Sequence, residues 1–227
     1  MLFNPYTPGA GMLPEYLAGR DKLIEEAKFS IDSLLKGYPQ RPIIYYGLRG
    51  VGKTVLLTYL DEYAKNQNLI TFNLEVKENI SFIDELIIQI NKKILRLSAT
   101  EKIKKLIDEL RQTIMNFTLT YNIGDSSVSF EHKNLTKAIL QDNILELILS
   151  LGKIAKETSN AVILFLDEIQ YANQSELEAL IIAQHRVNQL KLPVTIIGAG
   201  LPRVLVTMTE SKTYAERMFL FQQIDSF

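Results

Sequence analysis

Residues 47–54 read GLRGVGKT, three glycines within six positions followed by a lysine and a threonine. Just before them stands a short apolar, β-branched and aromatic run, Pro42–Tyr46 (PIIYY), and a helical spacing follows from about Lys53 to Asn66. Strand, glycine loop and helix in that order satisfy the pattern G-x-x-x-x-G-K-[ST] in the context it requires. Gly47, Gly50 and Gly52 let the backbone curl so that its N–H groups point inward, the helix amino terminus adds partial positive charge, and no side chain blocks the approach of a phosphate. The expected phosphate-binding segment is therefore Gly47, Leu48, Arg49, Gly50, Val51, Gly52, Lys53, Thr54 and Val55. Lys53 is expected to reach the β- and γ-phosphates of a nucleotide, and the Thr54 hydroxyl to ligate Mg2+.

Such a loop alone does not separate kinases, GTPases and ATPases, and a second motif decides between them. The stretch VILFLDEIQ runs buried apolar residues straight into Asp167 and Glu168, which places both carboxylates at the carboxyl end of a strand, where open α/β sheets bind ligands. Asp167 is expected to hold the metal shell. Glu168, one residue on, is expected to orient or deprotonate the attacking water. No N-K-x-D stretch for reading guanine is found, so ATP is the expected nucleotide, with ATP or ADP and Mg2+ as cofactors.

The rest of the chain alternates in the same way. A helix is expected over Asp21–Leu35, stopped by Gly37 and Pro39, then strands at Leu69–Val76, Ala161–Leu166, Pro193–Ile197 and Phe219–Ile224. Helices are expected at Phe82–Leu97, Thr136–Thr158 and Ser175–Leu190. Strands apolar on both faces imply a parallel sheet covered by helices on each side, a three-layered α/β fold. Between Ala99 and Leu135 the pattern shifts to a charged helix, Glu101–Met115, and then to the alternating segment FTLTYNIGDSSVSF with a Gly-Asp turn signal, which reads as an insertion carrying a β-hairpin.

Composition limits the alternatives. Hydrophobic residues make up 47 % and charged residues 22 %, as in ordinary folded domains, and the formal net charge of −1 creates no global field for nucleic acid or an anionic membrane. Cysteine is absent, which excludes disulfides and thiolate metal sites and fits a reducing compartment. The first twenty residues lack the basic and apolar regions of a signal peptide, and Ala161–Leu166 falls far short of the roughly 20 apolar residues that span a bilayer. A cytoplasmic protein without a membrane partner is expected.

GLRGVGKT with FLDEIQ, preceded by LAGRD, resembles the AAA+ superfamily, in the branch that includes STAND signalling ATPases, archaeal replication initiators and transposition-associated ATPases. The stretches LPVTIIGAGLPRVL and YAERMF resemble the region after the hydrolytic motif in bacterial ATP-binding proteins of that branch. The resemblance implies a five-stranded parallel sheet of order 5-1-4-3-2, with Pro193–Ile197 between the strands that carry the two motifs. It further implies that Leu17, Gly19 and Arg20 lie beside the adenine ring. Arg217 falls where relatives carry an arginine that reaches a neighbouring subunit's γ-phosphate, which implies a nucleotide-dependent homo-oligomer. Asn73 matches a position where some relatives restrain the catalytic glutamate. Relatives often place a polar sensor at the end of the fourth strand, where this sequence has Gly198, Ala199 and Gly200, with Thr195 earlier. His185 and Arg186 read as a helix-surface pair and are assigned no role.

The expected organisation is one ATPase core over 1–227, with an amino-terminal box and helix at 1–41, an insertion at 99–135, and the helical lid of the relatives missing after Phe227. The function that follows is magnesium-dependent ATP binding and hydrolysis in the service of a nucleotide-controlled switch. Two alternatives are a DNA-linked ATPase, either an initiator or a transposition regulator, and a nonhydrolytic nucleotide-binding module. DNA as a partner finds no support in the charge.

Overall fold

The computed structural model describes residues 19–94, 100–120, 137–211 and 215–225. The chain begins with α1 (Asp21–Leu35), β1 (Ile43–Tyr46), α2 (Lys53–Asn66), β2 (Ile70–Glu75) and α3 (Phe82–Lys93). Next come α4 (Glu101–Thr120), α5 (Lys137–Glu157), β3 (Val162–Asp167), α6 (Gln174–Gln189) and β4 (Val194–Gly200). Two short helices, α7 (Val204–Ser211) and α8 (Ala215–Met218), lead into β5 (Leu220–Gln223). Every strand pairing is parallel, and the sheet order is β2-β3-β4-β1-β5, the expected order read from the other edge.

The alternation of side chains across this sheet creates two cores. Ile43, Tyr45, Ile163, Phe165 and Ile197 pack against α1 and α2 on one face. Ile44, Phe72, Leu74, Leu164, Leu166 and Ile196 pack against α3–α7 on the other. β3 is buried on both faces, which is why its sequence is a continuous apolar run rather than an alternating one.

Helix ends follow local chemistry. The Ser81 hydroxyl accepts the Ile83 N–H at 3.2 Å at the start of α3, with Asp84 and Glu85 in its first turn and Lys92 and Lys93 in its last, each favourable to the helix dipole. α1 ends at Gly37, whose φ of +84° is the left-handed geometry of a helix stop.

Three differences from the sequence reading have physical causes. The charged helix continues to Thr120, so the first four residues of the alternating segment are helical and the remainder of the expected hairpin lies outside the described residues. Propagating an established helix adds a hydrogen bond per residue, which outweighs the modest β preference of Phe and Thr. β4 runs three residues past Ile197, because Gly198 and Gly200 act as strand residues paired with Ile44 and Tyr46 rather than as breakers. α7 was not foreseen. Its eight residues carry no capping signal and include four β-branched ones, so only its packing through Val204 and Met208 makes it a helix.

Because the sheet is parallel, every strand delivers its carboxyl end to the same edge. The loops after β1 and β3 therefore flank the end of β4 from either side.

Candidate functional site

The loop after β1 folds around its glycines. Gly50 and Gly52 have φ of +80° and +89°, the left-handed region open to glycine, and Gly52 precedes the first residue of α2. Gly47 is required for a different reason. A Cβ there would lie 2.2 Å from the Ile224 carbonyl oxygen, so the loop's first residue passes hard against the end of β5.

Lys53 opens α2 and is only 7 % exposed. Its Nζ donates to the carbonyl oxygens of Gly47 at 3.0 Å and Leu48 at 2.7 Å. Burial pushes its ammonium below the ordinary lysine value, against the pull of Glu168 and Asp167. The next residue carries the link between the two motifs: Thr54 Oγ1 donates to Asp167 Oδ2 at 2.6 Å. Asp167 Oδ1 in turn accepts the Glu168 N–H at 2.8 Å. Burial raises the Asp167 carboxyl above the usual aspartate value, and the bonds from Thr54 and from the Glu168 N–H work the other way.

Two oxygen ligands side by side, a hydroxyl and a carboxylate, suit a hard cation such as Mg2+, which typically takes one or two protein oxygens and completes its shell with phosphates and water. Among the described residues no group of three or more His, Asp or Glu side chains converges as an all-protein metal cage. Thr54 and Asp167 line an open cleft of about 420 Å³ together with Thr58, Asn73, Glu75 and Glu168. A larger apolar hollow of about 660 Å³, beside Phe29 and Arg41, lies at the opposite edge of the sheet near Ile43 and Leu220 and holds none of the motif residues.

Glu168 takes a left-handed conformation, φ 55° and ψ 37°. For a residue with a Cβ this costs about 1–2 kcal/mol, and such residues cluster at functional sites. The turn redirects the chain from β3 into a short 3-10 helix, Ile169–Tyr171. The next residue but one holds the glutamate in place, since Gln170 Nε2 donates to Glu168 Oε2. Gln170 was missed at the level of sequence. The available signal was the glycine pair, because a Cβ on Gly198 would lie 2.2 Å from Ile169 Cδ1 and one on Gly200 would lie 2.6 Å from Gln170 Oε1.

The Asn73 amide is bonded to Asp61 rather than to the glutamate. Its Nδ2 donates to the buried Asp61 Oδ2 and the Asn73 backbone carbonyl accepts from Gln89 at 2.5 Å, so the residue braces β2 against α2 and α3. Thr195, 1 % exposed, lies low in β4, where its partner across β3 is Ile163. His185 and Arg186 are exposed on α6, away from the motifs.

Leu17 lies outside the described residues. Gly19 and Arg20 lead into α1, and the Arg20 guanidinium is committed to backbone, donating to the Val51 carbonyl at 3.2 Å and the Asp225 carbonyl at 2.5 Å. Arg20 thereby clasps the phosphate loop to the chain after β5. Arg217 is exposed on α8, which enters β5 where Leu220 pairs with Ile43. That is the amino edge of the sheet, the far end from the loop after Tyr46, so Arg217 does not face its own chain's cleft. Arg41 fixes this corner by donating to the Phe219 carbonyl at 2.7 Å. Among the described residues no helix is long and apolar enough to cross a membrane.

The family model described as AAA ATPase domain matches residues 16–197. Among solved structures, Cdc6p from Pyrobaculum aerophilum is similar, with a TM-score of 0.56, 13 % identity, and coverage of 94 % of this chain and 47 % of that one. The Aeropyrum pernix ORC2 protein in ADPNP-ADP complexes is similar too, with a TM-score of 0.52, 16 % identity, and coverage of 95 % and 50 %. At these identities the likeness is one of fold, and the chain spans about half the length of each. No curated protein sequence matches it.

Proposed function

Because the chain belongs to the AAA ATPase domain family, we propose that it binds ATP with Mg2+ in the cleft between the loop after β1 and the end of β3, hydrolyses it, and serves as a nucleotide-controlled switch. The observation that carries this reading is the 2.6 Å bond from Thr54 to Asp167, which joins two motifs 113 residues apart at one point.

In this reading the N–H groups at the amino terminus of α2 receive the phosphates, since the partial positive charge of the helix and the absence of side chains at Gly50 and Gly52 favour an anion there. Lys53 turns from the Gly47 and Leu48 carbonyls onto the β- and γ-phosphates, exchanging two neutral acceptors for charged ones. Thr54 and Asp167 would hold Mg2+, which neutralises charge on the phosphate oxygens when bound. Glu168 orients the attacking water and accepts its proton. The backbone at Gly19 and Arg20 contributes to the base site. Arg217 acts on the γ-phosphate of a second copy, which makes hydrolysis depend on assembly, and assembly is what a switch reports.

The test is ATP hydrolysis with and without magnesium, for wild type and Glu168→Gln, across protein concentration, with bound nucleotide assayed alongside. Turnover per chain is expected to rise with concentration and to fall about 10²–10⁴-fold in the variant, the usual worth of a positioned general base, while nucleotide stays bound. Turnover indifferent to Glu168→Gln, or no nucleotide binding at any concentration, overturns the proposal. Arg217→Ala should abolish the concentration dependence and leave binding intact.

A further inference from the structure

Gln170 is 6 % exposed, and its carboxamide bridges Glu168, in the turn after β3, and the chain that leaves β4. Its Oε1 accepts the Leu201 N–H at 2.8 Å, directly after the last residue of β4, and its Nε2 donates to Glu168 Oε2. The orientation of the amide is determined by chemistry. A backbone N–H can only donate, so the oxygen must face Leu201 and the NH2 must face the glutamate.

Room for this side chain comes from β4. Gly198 and Gly200 point to the same face of the sheet, and Ile169 and Gln170 fold back into the space their missing side chains leave. A residue with a side chain at position 200 would displace the carboxamide. The turn is also anchored around Gln170. Arg203 Nη2 donates to the Gln170 carbonyl at 3.4 Å and its guanidinium lies over the Tyr171 ring at 4.9 Å, while Arg49 of the phosphate loop donates to the Tyr171 hydroxyl at 3.2 Å. One residue thus touches Glu168 while its neighbours connect the end of β4 to the loop after β1.

We propose that Gln170 is the positioning residue for Glu168, supplying from the turn after β3 the polar contact that β4, with glycines at its end, does not supply itself. It holds one carboxylate oxygen and ties it to the Leu201–Arg203 turn, so that the position of the β4 end sets that of the glutamate. This inference rests on the reading that Glu168 serves ATP hydrolysis.

The experiment is steady-state and single-turnover ATP hydrolysis by the whole chain carrying Gln170→Glu or Gln170→Ala, each alone and combined with Glu168→Gln, with magnesium–ATP affinity and Tm measured in parallel. Gln170→Glu keeps the length of the side chain and an acceptor for the Leu201 N–H but, ionised, sets a second negative charge against Glu168 in place of the donor, so it disturbs the glutamate without opening a cavity, whereas Gln170→Ala removes contact and packing together. Both single variants are expected to lower kcat between about 10- and 100-fold, the scale of a misplaced reacting group, with ATP affinity within about twofold of wild type. Gln170→Glu should also lower Tm, because it buries a second carboxylate beside Glu168, and Glu168→Gln should restore part of that loss by removing the like charge; in the Glu168→Gln background neither variant should lower turnover further.

Wild-type turnover that depends on Glu168 but is unchanged in both Gln170 variants overturns the positioning role and leaves the ATPase reading standing. So does an equal loss in the Glu168→Gln background, which would place the effect of Gln170 elsewhere. Wild-type turnover that Glu168→Gln does not reduce overturns the ATPase reading and this inference together.

Discussion

The two loops that face each other across the cleft reach left-handed backbone geometry by opposite routes. In the loop after β1 the positive φ values fall on Gly50 and Gly52, which adopt them without penalty. In the turn after β3 the positive φ falls on Glu168, a residue that resists it by about 1–2 kcal/mol. The first loop is closed mainly by its own atoms, since Lys53 bonds to the carbonyls of Gly47 and Leu48 within the same eight residues, and Arg20 adds one clasp from outside at Val51. The second is held from outside, by Leu201, Arg203 and Arg49 acting through Gln170 and Tyr171. A phosphate loop can be specified by local spacing, because its task is to present backbone. A turn that must aim one carboxylate needs tertiary contacts to keep it there.

The difference predicts a division of labour, and the largest effect should come from the loop after β1. Lys53→Ala removes a buried ammonium meant for the phosphates. Truncating one partner of a buried charged hydrogen bond costs at least about 2 kcal/mol, so ATP affinity should fall by about thirtyfold or more in a calorimetric titration. Glu168→Gln should leave the same affinity within about twofold. An unchanged affinity in Lys53→Ala would defeat the assignment of the phosphate loop, and a large loss in Glu168→Gln would erase the distinction between the two loops.

The same contrast explains what the sequence discloses. The two-sided burial of β3 and the meeting of Thr54 with Asp167 are legible, because apolar runs, spacing and the parallel-sheet rule are local or topological signals, whereas the strand order comes from the family resemblance. Gln170 is not legible as a functional residue, because nothing in FLDEIQ says that a carboxamide two positions on will fold back under β4. The alternate glycines of β4 carried half of that information, as a mark of close approach, but not the identity of the neighbour. Asn73 shows the converse error. Its place near the end of β2 suggests the glutamate, yet its amide is bonded to Asp61, 2 % exposed.

The side of the cleft held by tertiary contacts should also be the side that senses pH. α6, which follows the turn after β3, buries Glu176 in its first turn, and Asp84 of α3 lies close enough to act on it. Burial pushes both carboxyls up to about 7, for Glu176 against hydrogen bonds from Ser81 and Asn173. An acid whose folded value lies above its unfolded one is favoured in its protonated form by folding. Its contribution is complete below about pH 4 and is lost as the pH rises through about 7. Tm should therefore fall between pH 5 and pH 8.5, and Glu176→Gln should flatten the fall. A Tm that is level or rises across that interval would show that these groups do not govern the stability of this side.

The smallest effect is the most direct test of where the strain sits. Glu168→Gly and Glu168→Ala both remove the carboxylate and with it the acceptor of Gln170, so both should lose turnover, and they differ in a single methyl group and in backbone freedom. At φ 55° the alanine keeps the clash of its Cβ, about 1–2 kcal/mol, which glycine lacks. Glycine gives back about 0.5–1 kcal/mol through the greater freedom of its unfolded chain. The difference leaves glycine ahead by about 0.5–1 kcal/mol, or about 1–4 °C in Tm. At Gly52, φ +89°, the order should be the same for the same reason, with Gly52→Ala less stable than wild type. If Glu168→Ala instead proves as stable as Glu168→Gly, the turn relaxes once Gln170 loses its acceptor. In that case the left-handed backbone is a consequence of the hydrogen bond from Gln170 rather than a condition it has to meet.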